Sequence, residues 1–253
     1  MAVTLDLAGR RALVTGASSG LGAEVCRSVV GCGGSVAMLA RRKERLDELH
    51  DELGERAVGI RCDVTDMDAL EASIDEAARS LGGLDAVIAV AGKSMVGSIE
   101  SGTPQRWREL FDLNLLAPLA TVRFALEHFP DAGRRDVVFI GSTGAITPMP
   151  GTAIYGASKR GLRAAFDTVR LEVAPAGINA SLVMPGFFET EGLTLEGITI
   201  DGDVPQNDIP MLVEGAGPGD PRAIGDTVAF MLAMPEGVAI NEVVVRPTGQ
   251  LHP

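Results

Sequence analysis

Short, nearly uncharged apolar runs alternate along this chain with longer amphipathic ones, and that alternation constrains the fold more than any other feature. "RALVTG", "SVAMLA", "AVGIRC", "LDAVIAVAG", "DVVFIGS", "INASLVMPG" and "NEVVVR" are strand-length and mostly apolar. Such runs suit strands buried on both faces. Between them lie helix patterns over 21–32, "KERLDELHDEL", "MDALEASIDEAARSL", a long stretch over 104–129, another over 154–174 and one near 221–234. Strand–helix alternation gives a mostly parallel sheet with right-handed crossovers and helices on both faces, here with about seven strands. No linker or second core pattern interrupts it, so residues 1–253 read as one α/β domain.

Composition excludes several classes. A formal net charge of -12 argues against nucleic acid, whose phosphates want a basic footprint, and against anionic membrane surfaces. The opening "MAVTLDLAGRR" has no apolar core of a signal peptide, and no run approaches the length of a spanning helix. Cys26, Cys32 and Cys62 form no Cys-x-x-Cys pair, and His50, His128 and His252 lie far apart, so a metal site is not expected. A cytoplasmic protein with reduced thiols is the expectation.

The loop "TGASSGLG", Thr15 to Gly22, joins the first strand run to the first helix. Gly16 permits a tight turn, Gly20 lets backbone approach a pyrophosphate, and Gly22 lets the helix pack closely. Ser18, Ser19 and Leu21 share the loop. The helix N-terminus then offers free N–H groups and a positive dipole end to phosphate. A dinucleotide site often carries an acid at the end of the second strand, for a ribose hydroxyl. Here "MLARRK" places Ala40 there, followed by Arg41 and Arg42. Either arginine can pair with a 2′-phosphate; alternatively both simply begin a solvated helix. Asp63, beside Val64, either accepts the adenine amino group or caps a helix.

Tyr155 is the only tyrosine, and Lys159 follows at i+4, on the same helix face. Ser142 ends the run "DVVFIGS", at the sheet edge where ligands of open α/β sheets bind. A free phenol, with a pKa of about 10, is a poor proton donor to a forming alkoxide at neutral pH. A nearby ammonium stabilises the phenolate and lowers that value. A serine hydroxyl can hold the reacting oxygen while negative charge develops on it.

Together these motifs resemble the short-chain dehydrogenase/reductase family, over essentially the whole chain. Its Thr-Gly-x-x-x-Gly-x-Gly loop matches Thr15–Gly22, its asparagine matches Asn114 in "NLLAP", and its Ser, Tyr and Lys match Ser142, Tyr155 and Lys159. Its Pro-Gly-x-x-x-Thr matches "PGFFET", Pro185, Gly186, Phe188 and Thr190 included. The resemblance implies a three-layer, doubly wound Rossmann-type fold that assembles as a homotetramer or dimer. It implies Tyr155 as general acid in reduction and base in oxidation, with Lys159 on the nicotinamide ribose and Ser142 orienting the substrate. Asn114 would hold a water through its backbone at a helix kink. One departure is "AVAG", Ala89 to Gly92, where the family commonly has Asn-Asn-Ala-Gly; Ala91 and Gly92 still line the adenosine side. NADP(H) is the expected cofactor, with NAD(H) as the alternative. A second departure is Ser19, which many NADP-preferring relatives replace with a base, and which would give Arg41 a hydroxyl partner.

Residues 191–220 carry seven acids and no lysine or arginine, with many Gly and Pro. A lid that selects the substrate is expected there. Acids facing the cleft would disfavour anionic substrates. Phe187 and Phe188 would wall the nicotinamide, or Phe187 would join the core. The expected activity is NADP(H)-dependent reduction of a small ketone or aldehyde. The alternatives are a secondary-alcohol or hydroxysteroid dehydrogenase working oxidatively and a non-catalytic cofactor sensor.

Overall fold

The computed structural model describes residues 5–190, 198–203 and 217–251. Its elements in chain order are β1 (Arg11–Thr15), α1 (Gly20–Gly31), β2 (Ser35–Ala40), α2 (Lys43–Leu53), β3 (Ala57–Arg61), α3 (Met67–Leu81), β4 (Ala86–Ala89) and β5 (Met95–Val96). Then follow α4 (Pro104–Phe111), α5 (Ala117–Ala125), β6 (Asp136–Ile140), α6 (Ala153–Val173), β7 (Asn179–Pro185), β8 (Thr199–Ile200), α7 (Arg222–Leu232) and β9 (Glu242–Val245).

Seven strands form one parallel sheet in the order β3-β2-β1-β4-β6-β7-β9. The order runs outward in both directions from the β1–β4 boundary. The crevice at that switch point is where such a fold binds ligands. Successive β1 residues face opposite layers. Ala12 and Val14 pack with α1, α2 and α7, through Val25, Leu46 and Ile224. Leu13 packs with α3, α5 and α6, through Leu70, Val122 and Leu162. Phe139 of β6 meets Phe166 of α6 edge-on, with ring centroids 6.3 Å apart. That contact seats α6 on the sheet. At the opposite edge, Arg10 bridges Asp85 at 2.6 Å and Asp136 at 2.7 Å, tying β4 and β6 together away from the crevice.

The long helix expected over 104–129 is interrupted. Between α4 and α5, Asp112–Leu116 form a π turn in which Ala117 N–H donates to Asp112 O. The cause is readable in "NLLAP": Pro118 has no N–H to give to the Asn114 carbonyl four residues earlier. The ladder widens by one residue there, and Asn114 turns fully inside, 0% exposed.

The β5–β8 pair was not foreseen. It joins the segment after β4 to the described part of the expected lid, with Met95 against Thr199 and Val96 against Ile200. Residues 191–197 and 204–216 of that lid lie outside the described residues. No helix among the described residues is long and apolar enough to cross a membrane.

Candidate active site

A cleft of about 220 Å³ opens at the carboxyl ends of β1, β4, β6 and β7. Gly16, Ser19, Gly20, Leu21 and Gly22 form one wall; Ala91, Gly92, Ser142, Tyr155 and Lys159 form another; Pro185, Gly186 and Thr190 close it. An arm of about 190 Å³ shares Gly16, Ser19, Ala91 and Gly92 and continues to Ser18, Arg41, Arg42, Asp63 and Val64.

The glycine loop is shaped by backbone contact. Gly16 sits at φ +69°, and a Cβ there would come within 2.9 Å of the Ala91 Cα. A Cβ on Gly22 would strike the Gly16 carbonyl oxygen. Gly20, at φ +52°, lies against Thr190. Ser19 precedes α1 without capping it through its side chain, and no acid occupies the first turn. The N-terminal N–H groups therefore face the cleft without a competing carboxylate, which suits an anionic pyrophosphate.

In the side arm the two arginines divide. Arg42 donates from Nε and Nη2 to Ser18 Oγ, both at 3.3 Å, and from Nη2 to Ser19 Oγ. The Ser19 hydroxyl expected to partner Arg41 is thus held by Arg42, which sits at the N-cap position of α2 and folds back over the loop. Arg41 faces Asp63 instead. Burial raises the Asp63 carboxyl, but two hydrogen bonds from Thr65 and the Arg41 charge outweigh it and leave it below the usual carboxylate range. Asp63 caps no helix: Asp66 caps α3, accepting from Ala69 N at 3.1 Å.

"AVAG" is braced from both sides despite its missing amides. Thr15 Oγ1 accepts from Val90 N at 3.1 Å and from Ala91 N at 3.2 Å. Asn114 grips the Lys93 backbone, accepting from its N and donating to its O, each at 2.9 Å. Its Nδ2 also reaches Ser158 Oγ at 3.2 Å. The Asn114 side chain is thus a clamp, and Pro118 offers its backbone carbonyl no N–H from four residues on.

Tyr155 and Lys159 lie one turn apart on α6. Lys159 is 5% exposed and donates to the Ile140 carbonyl at 3.1 Å. Its side chain also lines the cleft, a fit for ribose hydroxyls. Burial lowers its ammonium to about 8. Ser142 Oγ accepts from Gly144 N at 3.0 Å, which fixes the hydroxyl beside the Tyr155 ring. The Tyr155 phenol is raised above its ordinary value, not lowered as expected. Desolvation dominates, and the hydroxyls of Ser142 and Ser94 pull it only part of the way back.

Two further expectations need correction. Phe188 does not wall the cleft: it is 3% exposed in the core beside Ile224 and Val228. A bridge between residues 188 and 219 turns it inward, and a Cβ on Gly219 would sit 2.6 Å from its ring. Three of the seven acids of 191–220 lie in described residues, and Asp201 points neither to the cleft nor to water. It is 1% exposed, and its Oδ2 accepts from Thr103 N at 2.8 Å and Trp107 Nε1 at 2.9 Å. Asp220 accepts from Arg222 N at 2.9 Å at the start of α7. Sequence reasoning missed Ser94, Ser158 and Gln250, whose Oε1 accepts from Phe187 N at 2.8 Å. Only Trp107 carried a signal, since a buried indole N–H needs an acceptor.

Fold and cleft define a nucleotide-binding oxidoreductase architecture, and the comparisons narrow it. Residues 10–196 match the family model described as short chain dehydrogenase. Over 188 residues the chain is 35% identical to an uncharacterized oxidoreductase of Mycobacterium tuberculosis, covering 72% of this chain and 74% of that one. It is 31% identical to the glycine betaine reductase ATRR of Emericella nidulans over 95% of this chain but only 19% of that much longer protein. The crystal structure of a dehydrogenase/reductase from Sinorhizobium meliloti superposes with a TM-score of 0.82 at 30% identity, over 96% of this chain and 95% of that one. The chain belongs to the short-chain dehydrogenase/reductase family.

Proposed function

We propose that this protein is an NADP(H)-dependent reductase of small, neutral ketones or aldehydes. The observation that carries it is the convergence of Ser142, Tyr155 and Lys159 on the cleft that also receives the free N-terminus of α1. A bound nicotinamide would supply the hydride and, when oxidised, a positive charge. Ser142 holds the carbonyl oxygen by hydrogen bond, and Tyr155 protonates it as charge develops there. Lys159, still mostly an ammonium at neutral pH, keeps a cation one helical turn from the phenol. The oxidative direction uses the same groups in reverse.

The 2′-phosphate preference rests on Ala40, which offers no carboxylate, and on Arg41 and Arg42 in the side arm. Two relatives of this fold, a short chain dehydrogenase from Burkholderia cenocepacia at 26% identity and a metagenomic short-chain oxidoreductase at 28%, were solved in complex with NADP. The neutral-substrate preference rests on the acid-rich 191–220 segment, less the acids already engaged within the fold.

Titrating NADPH and NADH into wild type, Arg41→Ala and Arg42→Ala tests the cofactor reading. A charge-assisted hydrogen bond contributes roughly 1.5–3 kcal/mol, or about ten- to a hundredfold in affinity. Arg41→Ala should lose about that factor for NADPH and almost nothing for NADH, whereas Arg42→Ala, which also releases Ser18 and Ser19 of the glycine loop, should weaken both. The difference should shrink at high salt. Equal wild-type affinities for the two cofactors would refute the preference.

A further inference from the structure

We propose that Asp201 is a positioning residue that fastens the 198–203 strap to the N-terminus of α4 and thereby holds the Ser94 hydroxyl against the Tyr155 phenol. The inference rests on the reading of Tyr155 as the proton donor.

The chain of contacts is continuous. Thr103 precedes α4 but gives it no side-chain cap, and the first turn carries no acid. The Asp201 carboxylate supplies both from outside, accepting from Thr103 N and from the Trp107 indole. Its Oδ1 makes no hydrogen bond and faces the Arg106 guanidinium at 3.6 Å. Arg106 also donates to Ile200 O at 3.0 Å. A carboxylate at this end of a helix is favoured by the helix dipole.

The strap passes that anchorage to the cleft through backbone bonds. Asp201 N donates to Val96 O at 3.0 Å, and Thr199 N donates to Ser94 O at 3.1 Å. Ser94 is therefore the residue at which the strap's ladder meets the cleft wall, which it lines together with Tyr155 and Ser142, and the Ser94 and Ser142 hydroxyls counter the upward shift of the phenol. Gly97 shows how tightly the strap is laid down, because a Cβ there would strike the Asp201 carbonyl oxygen. The charged groups around the phenol are Lys159 and Lys93, both in the cleft wall. Among the described residues, the charged group that faces Asp201 is Arg106.

The sequence supplies two clean reporters, since Tyr155 is the only tyrosine and Trp107 the only tryptophan. Phenolate absorbance after a pH jump reads Tyr155 alone, and indole emission reads the anchorage alone. Ser94→Ala should raise the Tyr155 midpoint by about half to one pH unit, a roughly three- to tenfold change in its ionisation constant. Trp107 emission should stay unchanged in that variant. Asp201→Asn keeps the shape and removes the charge; it should shift Trp107 emission to the red and raise the Tyr155 midpoint by a similar amount. Gly97→Ala, which displaces the strap with the carboxylate intact, should do the same. It also covers the case in which Asp201→Asn does not fold. With turnover measured alongside, all three should lower kcat more than they raise KM.

If Ser94→Ala leaves the midpoint where it is, Ser94 does not engage the phenol and the proposal fails. If Ser94→Ala moves it while neither strap variant does, Asp201 only stabilises the fold and the positioning role fails. Neither readout requires turnover, so a wrong assignment of the proton donor appears separately, as Tyr155→Phe that still reduces carbonyls.

Discussion

The two walls of the cleft are built by different means. The α1 wall is made of backbone: Gly16, Gly20 and Gly22 fit because they have no Cβ, and the helix end offers uncapped N–H groups. The wall carrying Ser94, Ser142, Tyr155 and Lys159 is made of side chains held by distant ones, with Asn114 gripping Lys93 and Asp201 gripping Thr103 and Trp107. Backbone walls tolerate little change but need few specific residues. Apart from Lys159, which suits the ribose hydroxyls, side-chain walls can retune the chemistry without disturbing the nucleotide site. Substitutions should therefore separate cofactor binding from proton transfer.

The largest effect should come from Tyr155→Phe, which removes the proposed proton donor and nothing that lines the α1 wall. Its kcat should fall by about 10²–10⁴-fold. NADPH affinity should stay within about threefold, a span of well under 1 kcal/mol. Joint loss of both would erase the distinction between the walls.

Lys159→Met sharpens it. Burial depresses the ammonium from 10.5 to about 8. Between those values the unfolded chain binds more protons than the folded one, so wild-type stability rises with pH across that window. Below it the buried charge costs its full amount, up to about 3 kcal/mol. Urea unfolding at neutral pH should show the variant more stable than wild type, though inactive, and the gap should close as pH rises toward 10.5. A gap that widens with pH would show that the lysine is not strained by burial.

Gly22→Ala probes the opposite wall. The added methyl meets the Gly16 carbonyl, and overpacking of this kind costs typically about 1–3 kcal/mol. Stability and NADPH affinity should both fall, while the Tyr155 titration should not move. An unchanged affinity would mean the loop yields to the methyl.

This asymmetry also governs what could be read from sequence. The strands, most helix limits and the glycine loop were legible because periodicity and missing side chains are local signals. The break at Asn114 was implied by the family resemblance, and Pro118 four residues on supplies its physical cause. The strap was not: Asp201 lies about a hundred residues from its partners and looks like any of seven acids in its segment. Phe188 was misplaced because the 188–219 bridge that turns it inward pairs residues thirty-one apart. The upward shift of the phenol followed from desolvation in the closed wall, which pattern cannot weigh against a neighbouring cation.

The central claim is carbonyl reduction with NADPH, and loss of NADPH absorbance over a panel of small neutral ketones and aldehydes, with matched carboxylates and alcohols alongside, tests it most directly. The account predicts turnover of at least one neutral carbonyl, faster than its carboxylate counterpart, with kcat/KM at least about tenfold higher for NADPH than for NADH. Tight binding of both cofactors with no oxidation or reduction of either across the panel would contradict it.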